Sequence, residues 1–556
     1  MRKRDEKRAE KRELRASLSI YAALSMMLIA SVIFVFLEGA REREMSSILQ
    51  MNADATIESL FAGYQKSLWD TYHLLGVPLS SKGSELNLAN QEGELLSYGQ
   101  AMLQPTSSGK WLKGMYLYRG ELSNIDMKAY CLMTDQDGRI YQKQVAQNMK
   151  ALSGAGWVES LLSDLDLLCN LEKDEEEERG IYDAAVEALR KSREKQDKSE
   201  NGKSKKSKTA GNETAKANGN LVKNSENKNK SSRNGRSKDR TGEQSQIKRS
   251  DVIKDTPLEQ SDRIQKSGVL SLVVADTKAL SAKSLEGQDL VSERNCFQGN
   301  WTEEFGSTGI ADTVFYEKYL TDLFHSKIFG CFLSPAENKD LSYELEYLIG
   351  GKKRDTDNLK IVVEKLFLLR EAANYGYLLT DAGKVSETLL MAEAIGGASL
   401  NPLLVEAIKQ GLLFSWAATE SILDIRALLQ GKRIPLMKTA DLWTSSLANL
   451  TTLLDGKMQA KESPAGRCYK EYLCGMLFLE DGARTSFRAM DLEELWIQKA
   501  AGDEEIRMDQ MMVAACVQFT YDYPRPFSKL ITFENPLGEK SESGKTASYS
   551  YGKAGE

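Results

Sequence analysis

Residues Leu18–Leu37 read LSIYAALSMMLIASVIFVFL and carry no charge. At about 1.5 Å of rise per residue, a helix of this length spans roughly 30 Å, the hydrocarbon thickness of a bilayer. Leu18, Ile20, Tyr21, Leu28, Ile29, Val32, Phe34 and Phe36 supply its apolar surface. The preceding leader, residues 1–16, holds 8 basic and 4 acidic residues. Basic flanks stay on the cytoplasmic side, so the N-terminus is expected inside and the rest of the chain outside the cell. The apolar run is longer than a secretory signal core, and the flank Glu38-Gly39-Ala40-Arg41 lacks an A-x-A cleavage site. Residues 17–38 therefore read as a retained signal anchor of a single-pass cell-membrane protein, with the lipid bilayer as its first partner.

Beyond the anchor, Met45, Ile48, Leu49, Ile57, Leu60, Phe61, Tyr64, Leu68 and Tyr72 recur at three- and four-residue spacing, an apolar stripe on a helix. No proline occurs before Pro78. Either one helix runs from Leu18 to Leu75, or a break near Gly39 divides it into two.

The remainder suits water. Of 556 residues, 41% are hydrophobic, and the mean hydropathy is −0.43. The formal net charge is −6, unevenly spread: residues 191–249 carry 18 Lys/Arg against 7 Asp/Glu. Removing that local +11 and the leader's +4 leaves −21 for the rest, an acidic body that repels nucleic acid. Seven cysteines form no C-x-x-C pair, and the only histidines are His73 and His325. Neither a disulfide framework nor a histidine-rich metal site is expected, and the chain calls for no cofactor.

In chain order, residues 39–171 combine the helical extension with a small strand-containing region. Ala129–Thr134, the turn Asp135-Gln136-Asp137-Gly138 and Arg139–Gln144 predict a β-hairpin. The Asp-x-Asp-Gly string resembles a calcium loop, but Ala146 stands where the bidentate glutamate would be required. Residues 172–190 form an acidic helical stretch. Residues 191–265 form a basic linker, poor in aliphatic residues and expected to be disordered. Outside the cell this linker could make weak contact with anionic wall polymers or lipid headgroups. Residues 266–530 read as an α+β domain with strands at Val269–Val274 and Tyr343–Ile349. Helices are predicted from Asp355 toward Leu379, Val385 toward Ile395, Pro402 to about Leu429, Tyr469 to Phe478 and Ser486 to Gln498, with a strand at Met511–Tyr523. Residues 531–556 are polar and Gly/Ser/Lys-rich, a flexible tail.

No phosphate-binding loop, dinucleotide fingerprint, zincin motif or nucleophile elbow occurs. The best carboxylate pair is Glu420 and Asp424, four residues apart on one helix face with Trp416. Paired acids beside an aromatic ring suit sugar hydrolysis, but such acids face one another across a cleft. Pairing with Arg426, Arg370 or another base, as a structural polar face, is the expected role.

Four segments carry a family resemblance: Ala16-Ser17-Leu18-Ser19-Ile20, residues 58–69 (ESLFAGYQKSLW), Tyr343-Glu344-Leu345-Glu346-Tyr347, and residues 416–429 (WAATESILDIRALL) with Ile434-Pro435-Leu436. Together they resemble an uncharacterised bacterial family of single-span surface proteins that accompany Tad (tight adherence) pilus and secretion components. A more distant likeness is to the pseudopilins of such systems, with Ala16-Ser17 at the position of prepilin processing. Pilins carry Glu at the fifth residue after that cut. Counted from Ser17 this position is Tyr21, so the leader is expected to be retained. The resemblance implies an accessory or minor pseudopilin-like component that works through contacts with other membrane and pilus-apparatus proteins. The reading from another class is a membrane-tethered cell-wall hydrolase using Glu420 and Asp424.

Overall fold

The computed structural model describes residues 2–79, 88–103, 118, 120–152, 268–274, 276–302, 309–328, 340–396, 402–450, 458–502, 506–527 and 540–551. The chain opens with one helix, α1 (Arg2–Phe61). Its apolar stretch from Leu18 stands clear of the body except at Phe34, and none of its most apolar window is buried. From Met45 onward one face turns inward, with Met45, Leu49, Ala53, Ile57, Leu60 and Phe61 all buried. That four-residue rhythm keeps a single stripe on the body. The helix passes through Gly39 unbroken, so the two-helix expectation fails there. Nor does it reach Leu75: Ala62 and Gly63 turn the chain, and α2 (Lys66–Tyr72) restarts it, closed by His73 at φ 56°. The stripe continued because Leu68 and Tyr72 bury on this second helix, and spacing alone does not register the turn between them.

The body is fastened to α1 within two turns of the apolar run. Arg41 pairs with Glu38 at 2.6 Å and donates to the carbonyl of Pro524 at 2.7 Å. The second oxygen of Glu38 accepts the backbone N–H of Phe527 at 2.9 Å, and the Phe527 ring stacks on Phe34. Arg525 pairs with Glu42 at 2.8 Å. A helix this well clamped holds the body close to the end of the apolar stretch.

The sheet has four antiparallel strands: β1 (Val77–Pro78), β2 (Glu121–Leu132), β3 (Met511–Tyr523) and β4 (Ser541–Ser550), with helix α3 (Leu88–Leu103) between the first two in sequence. β3 is central. β2 lies along one side, with Leu122 opposite Tyr521 and Ile125 opposite Phe519. β1 and β4 share the other side, Val77 opposite Met512 and Ser541–Ser550 opposite Tyr523–Ala514. Met512, Ala515, Val517, Phe519 and Tyr521 pack with Met45, Leu49, Ile57 and Phe61 of α1 and Leu95 of α3 into one core. The chain before the linker and the chain after it are thus built into one sheet. β4 corrects the expectation of a flexible tail. Glu542, Thr546 and Ser548 are exposed, while on the other face Lys545 donates to the Ser46 hydroxyl of α1 at 2.5 Å, Ala547 is buried and Tyr549 stacks on Phe61 with centroids 4.6 Å apart.

The predicted hairpin is also corrected. β2 ends at Leu132, a turn follows, and Arg139–Leu152 is a helix, α4. Ile140, Tyr141, Gln144, Val145 and Met149 are buried, a three-to-four-residue period visible only when the window extends past Gln144. Gly138 closes the turn at φ 73°, and a Cβ there would approach the Ser486 Cβ to 3.0 Å, so glycine is required for both conformation and space.

The helical half comprises α5 (Val269–Val273), α6 (Ile310–Leu323), α7 (Glu344–Gly350), α8 (Asp355–Thr380), α9 (Ala382–Gly396), α10 (Pro402–Leu429), α11 (Tyr469–Leu479) and α12 (Gly482–Ala501). Two expected strands are helices. At Val269–Val273 a short apolar run fits either state, and Arg426 settles the helical one by donating to the carbonyl of Leu272 at 2.7 Å. At Tyr343–Ile349 the acids alternate with apolar residues, but every residue from Glu344 to Ile349 is buried. Glu346 there accepts from Ser326 at 2.6 Å and Tyr469 at 2.9 Å, so the alternation does not mark a solvent face. The acidic stretch 172–190 and the linker 191–265 lie outside the described residues.

Candidate functional site

The polar face anticipated on α10 is a closed ionic network. Glu420 and Asp424 are both fully buried. Asp424 Oδ2 accepts from Arg370 Nη2 at 2.8 Å, Arg370 Nε at 3.0 Å and Asn374 Nδ2 at 2.9 Å. Its Oδ1 pairs with Lys438 at 2.6 Å, and the same ammonium binds Glu420. Glu420 also accepts the backbone N–H groups of Thr444 at 3.1 Å and Ser445 at 2.9 Å, and the Trp416 indole donates to the Ser445 hydroxyl at 2.9 Å. Arg370 uses its remaining donors on the carbonyls of Pro435 and Leu436. The network fastens α8 to α10 and holds residues 434–445 over both. Burial raises the Asp424 pKa, but Lys438 and Arg370 outweigh it and hold the carboxyl below its usual range. Of the two bases named from sequence, Arg370 pairs with Asp424, whereas Arg426 serves the α5 carbonyl and Lys438 is the further partner. Lys438 escaped sequence reasoning because it comes from a loop, with no periodicity to mark it.

The arrangement does not suit general acid/base chemistry. Each carboxylate is ion-paired and removed from solvent, whereas an acid/base residue must reach its substrate. The thiols are no better placed: burial pushes Cys474 up to about 12 and Cys296 to about 11, so neither is a ready nucleophile. Among the described residues, no group of three or more His, Cys, Asp or Glu could hold a metal ion.

Two features were not legible in the sequence. The first is a cleft of about 690 Å³ where the β2–α4 turn meets residues 291–301, lined by Asp135, Asp137, Arg294, Cys296, Trp301 and Phe487. Gln136 and Asp137 at its mouth have φ of 55° and 57°. Two of its charged residues, Asp135 and Arg294, are committed to the fold. Asp135 accepts the N–H groups of Leu132 and Gly299, and Arg294 pairs with Glu494 and Asp509 at 2.6 Å each. The second lies at the outer end of the ionic network. Lys384, at the start of α9, stands over the rings of Tyr377, Trp416 and Trp443 at 5.7, 5.9 and 5.7 Å. It also pairs with Asp381 at 3.0 Å.

Several other acids are buried without a cation. Burial lifts Glu346 to about 7 and Asp491 to about 6, against the hydrogen bonds that favour their ionised forms. Among the described residues the Oε2 of Glu346 has no partner. For an acid whose folded pKa is raised, the stabilising contribution is complete below the unfolded value, about 4.3 for Glu. It is lost as pH rises through the folded value. The melting temperature is therefore expected to fall between pH 5 and pH 8. Glu346→Gln should flatten that slope in pH-dependent melts, and an unchanged slope would place the titration elsewhere.

Residues 247–523 match a family of unknown function (DUF5702). No curated protein and no solved structure matches the chain. Within the matched span β3 is contributed, while its pairing partners β1, β2 and β4 all lie outside it.

Proposed function

We propose that this protein is an accessory or minor pseudopilin-like component of a Tad-type pilus or secretion apparatus. It is held by one membrane helix with its N-terminus in the cytoplasm, and its body works outside through protein–protein contacts. The observation that carries this reading is the clamp of Glu38, Arg41 and Phe34 on residues 524–527. A body fixed to its anchor can present one oriented surface beside the bilayer, as a part of a membrane assembly must. The exposed leucines of the α9–α10 hairpin, Leu390 and Leu403, give that surface apolar contact points. The hydrolase reading loses support because Glu420 and Asp424 are spent on Arg370 and Lys438. The linker's contact with wall polymers or lipids, and retention of the leader at Ala16-Ser17, remain part of the proposal.

Two measurements test it. Protease added to wall-stripped cells should release the body, whereas protection until the membrane is breached would reverse the topology. A photo-crosslinking residue in place of Leu390 or Leu403 should give adducts with pilus-apparatus proteins in native membranes. Intact piliation and secretion in cells lacking the chain, with no such adducts, would refute the assignment.

A further inference from the structure

Lys384 occupies a corner formed by three aromatic rings drawn from three elements. Tyr377 comes from α8, Trp416 from α10, and Trp443 from the loop that Glu420 and Lys438 hold down. Trp443 stacks on Tyr377 and meets Trp416 edge-on, with centroids 5.1 and 6.1 Å apart. The fourth side is Asp381, whose carboxylate binds Lys384, accepts the Tyr377 hydroxyl at 3.1 Å and caps α9 through the N–H groups of Gly383 and Lys384. The position is at the surface, since the side chains of Lys384 and Asp381 are 18% and 24% exposed. Ring faces and one carboxylate around a single point form a receptor for a cation.

The fit to Lys384 is loose. All three ring distances lie near the outer limit of about 6 Å at which a cation still feels a ring face. A primary ammonium is small enough to come closer to a ring than it does here, and its one short contact is to Asp381. A cation of larger radius would meet the three rings at these distances.

From this geometry we infer that Tyr377, Trp416, Trp443 and Asp381 form a binding site for a trialkylammonium group, with Lys384 as its built-in, displaceable occupant. A quaternary ammonium cannot donate a hydrogen bond to Asp381, but its methyl groups fill the space between the rings and its charge replaces that of Lys384. The affinity seen by an outside ligand is reduced by the fraction of molecules in which Lys384 has left, so removing Lys384 should raise it. The inference rests on the cage alone and does not depend on the pilus reading.

The probe is tetramethylammonium, titrated at constant ionic strength with tryptophan fluorescence as the signal. Lys384→Ala should bind saturably and at least tenfold more tightly than the unaltered chain, and Lys384→Ala/Tyr377→Leu should lose most of that gain. Absence of saturable binding in a Lys384→Ala protein that melts normally would overturn the inference, as would equal binding in the double variant. A measurement on the unaltered chain stands beside it should the variants fold poorly. Acetylation of lysines, read by peptide mass spectrometry, should speed up severalfold at Lys384 when tetramethylammonium is added. Lys409 is the control, being ion-paired to Glu406 and 17% exposed. No change at Lys384, or an equal change at Lys409, would also overturn the inference.

Discussion

Asp424→Ala is expected to be the most damaging single substitution in the helical half, at about 3–5 kcal/mol, the cost of leaving buried cations unpaired. The residue lost is the shared counter-ion of Arg370 and Lys438, and all three are buried. Arg370 would keep its carbonyl partners and Tyr472 but no carboxylate, and Lys438 would keep only Glu420. At about 2–4 °C per kcal/mol, the melting temperature should drop by roughly 10 °C. Asp424→Asn, which preserves shape and acceptor, should cost less. Lys438→Met should cost least, because Arg370 still balances Asp424 and Glu420 retains two backbone N–H groups. Combining Lys438→Met with Asp424→Ala should recover part of the loss, since the buried network then holds one cation, Arg370, against one anion, Glu420, which keeps its two backbone N–H groups. An Asp424→Ala protein melting within 2 °C of the parent, by thermal melts followed in the near-ultraviolet, would show that the network adds little.

Acid provides an independent reading of the same group. The folded pKa of Asp424 is depressed, so its contribution is complete above the unfolded value of about 3.9 and is lost as pH falls through the lower folded value. The dependence at Glu346 and Asp491 has the opposite sign and a higher range. The stability profile should therefore rise on acidification from pH 8, flatten near pH 4–5 and collapse below it. In Asp424→Ala the acid limb should soften while the neutral limb stays.

The long helices were legible because their periods are long. Pro402–Leu429 and Asp355–Thr380 repeat their apolar spacing over many turns, and Pro402, Gly431 and Gly351 punctuate them. β3 was legible because Met511–Tyr523 is rich in β-branched and aromatic residues and alternates. The failures are local and physical. Val269–Val273 is too short for its period to be read. Glu344 and Glu346 look solvent-facing until partners 20 and 123 residues away in sequence, Ser326 and Tyr469, are placed beside the latter. At the candidate site, the sequence supplied the face of Trp416, Glu420 and Asp424. It did not supply Lys438, Lys384, Tyr377 or Trp443, because a cage assembled from two helices, a helix start and a loop has no spacing to find.

The tail gives the second large effect. A chain stopped at Leu537 would lose β4, and if those residues were a flexible tail nothing should change. Instead β4 covers one side of the central strand along ten residues, Ala514–Tyr523. It also reaches α1: Gln50 donates to the Thr546 carbonyl at 3.0 Å, Tyr549 and Tyr551 enclose the Phe61 ring, and the Tyr551 hydroxyl donates to the Phe61 carbonyl. Removing it strips ring contacts worth about 0.5–1.5 kcal/mol each, uncovers Phe61, and turns the longest strand of the sheet into an open edge. An open edge is a template for pairing with another chain. The expected outcome is a drop in melting temperature of about 10 °C or more, together with self-association in sedimentation. A synthetic peptide of residues 538–556 should reverse both by adding back as a strand. Its Tyr549→Ser/Tyr551→Ser version should fail, since the ladder would remain while the contact with Phe61 would not. A truncated chain that stays monomeric and melts with the parent would mean that α1 and β2 alone hold β3 in place.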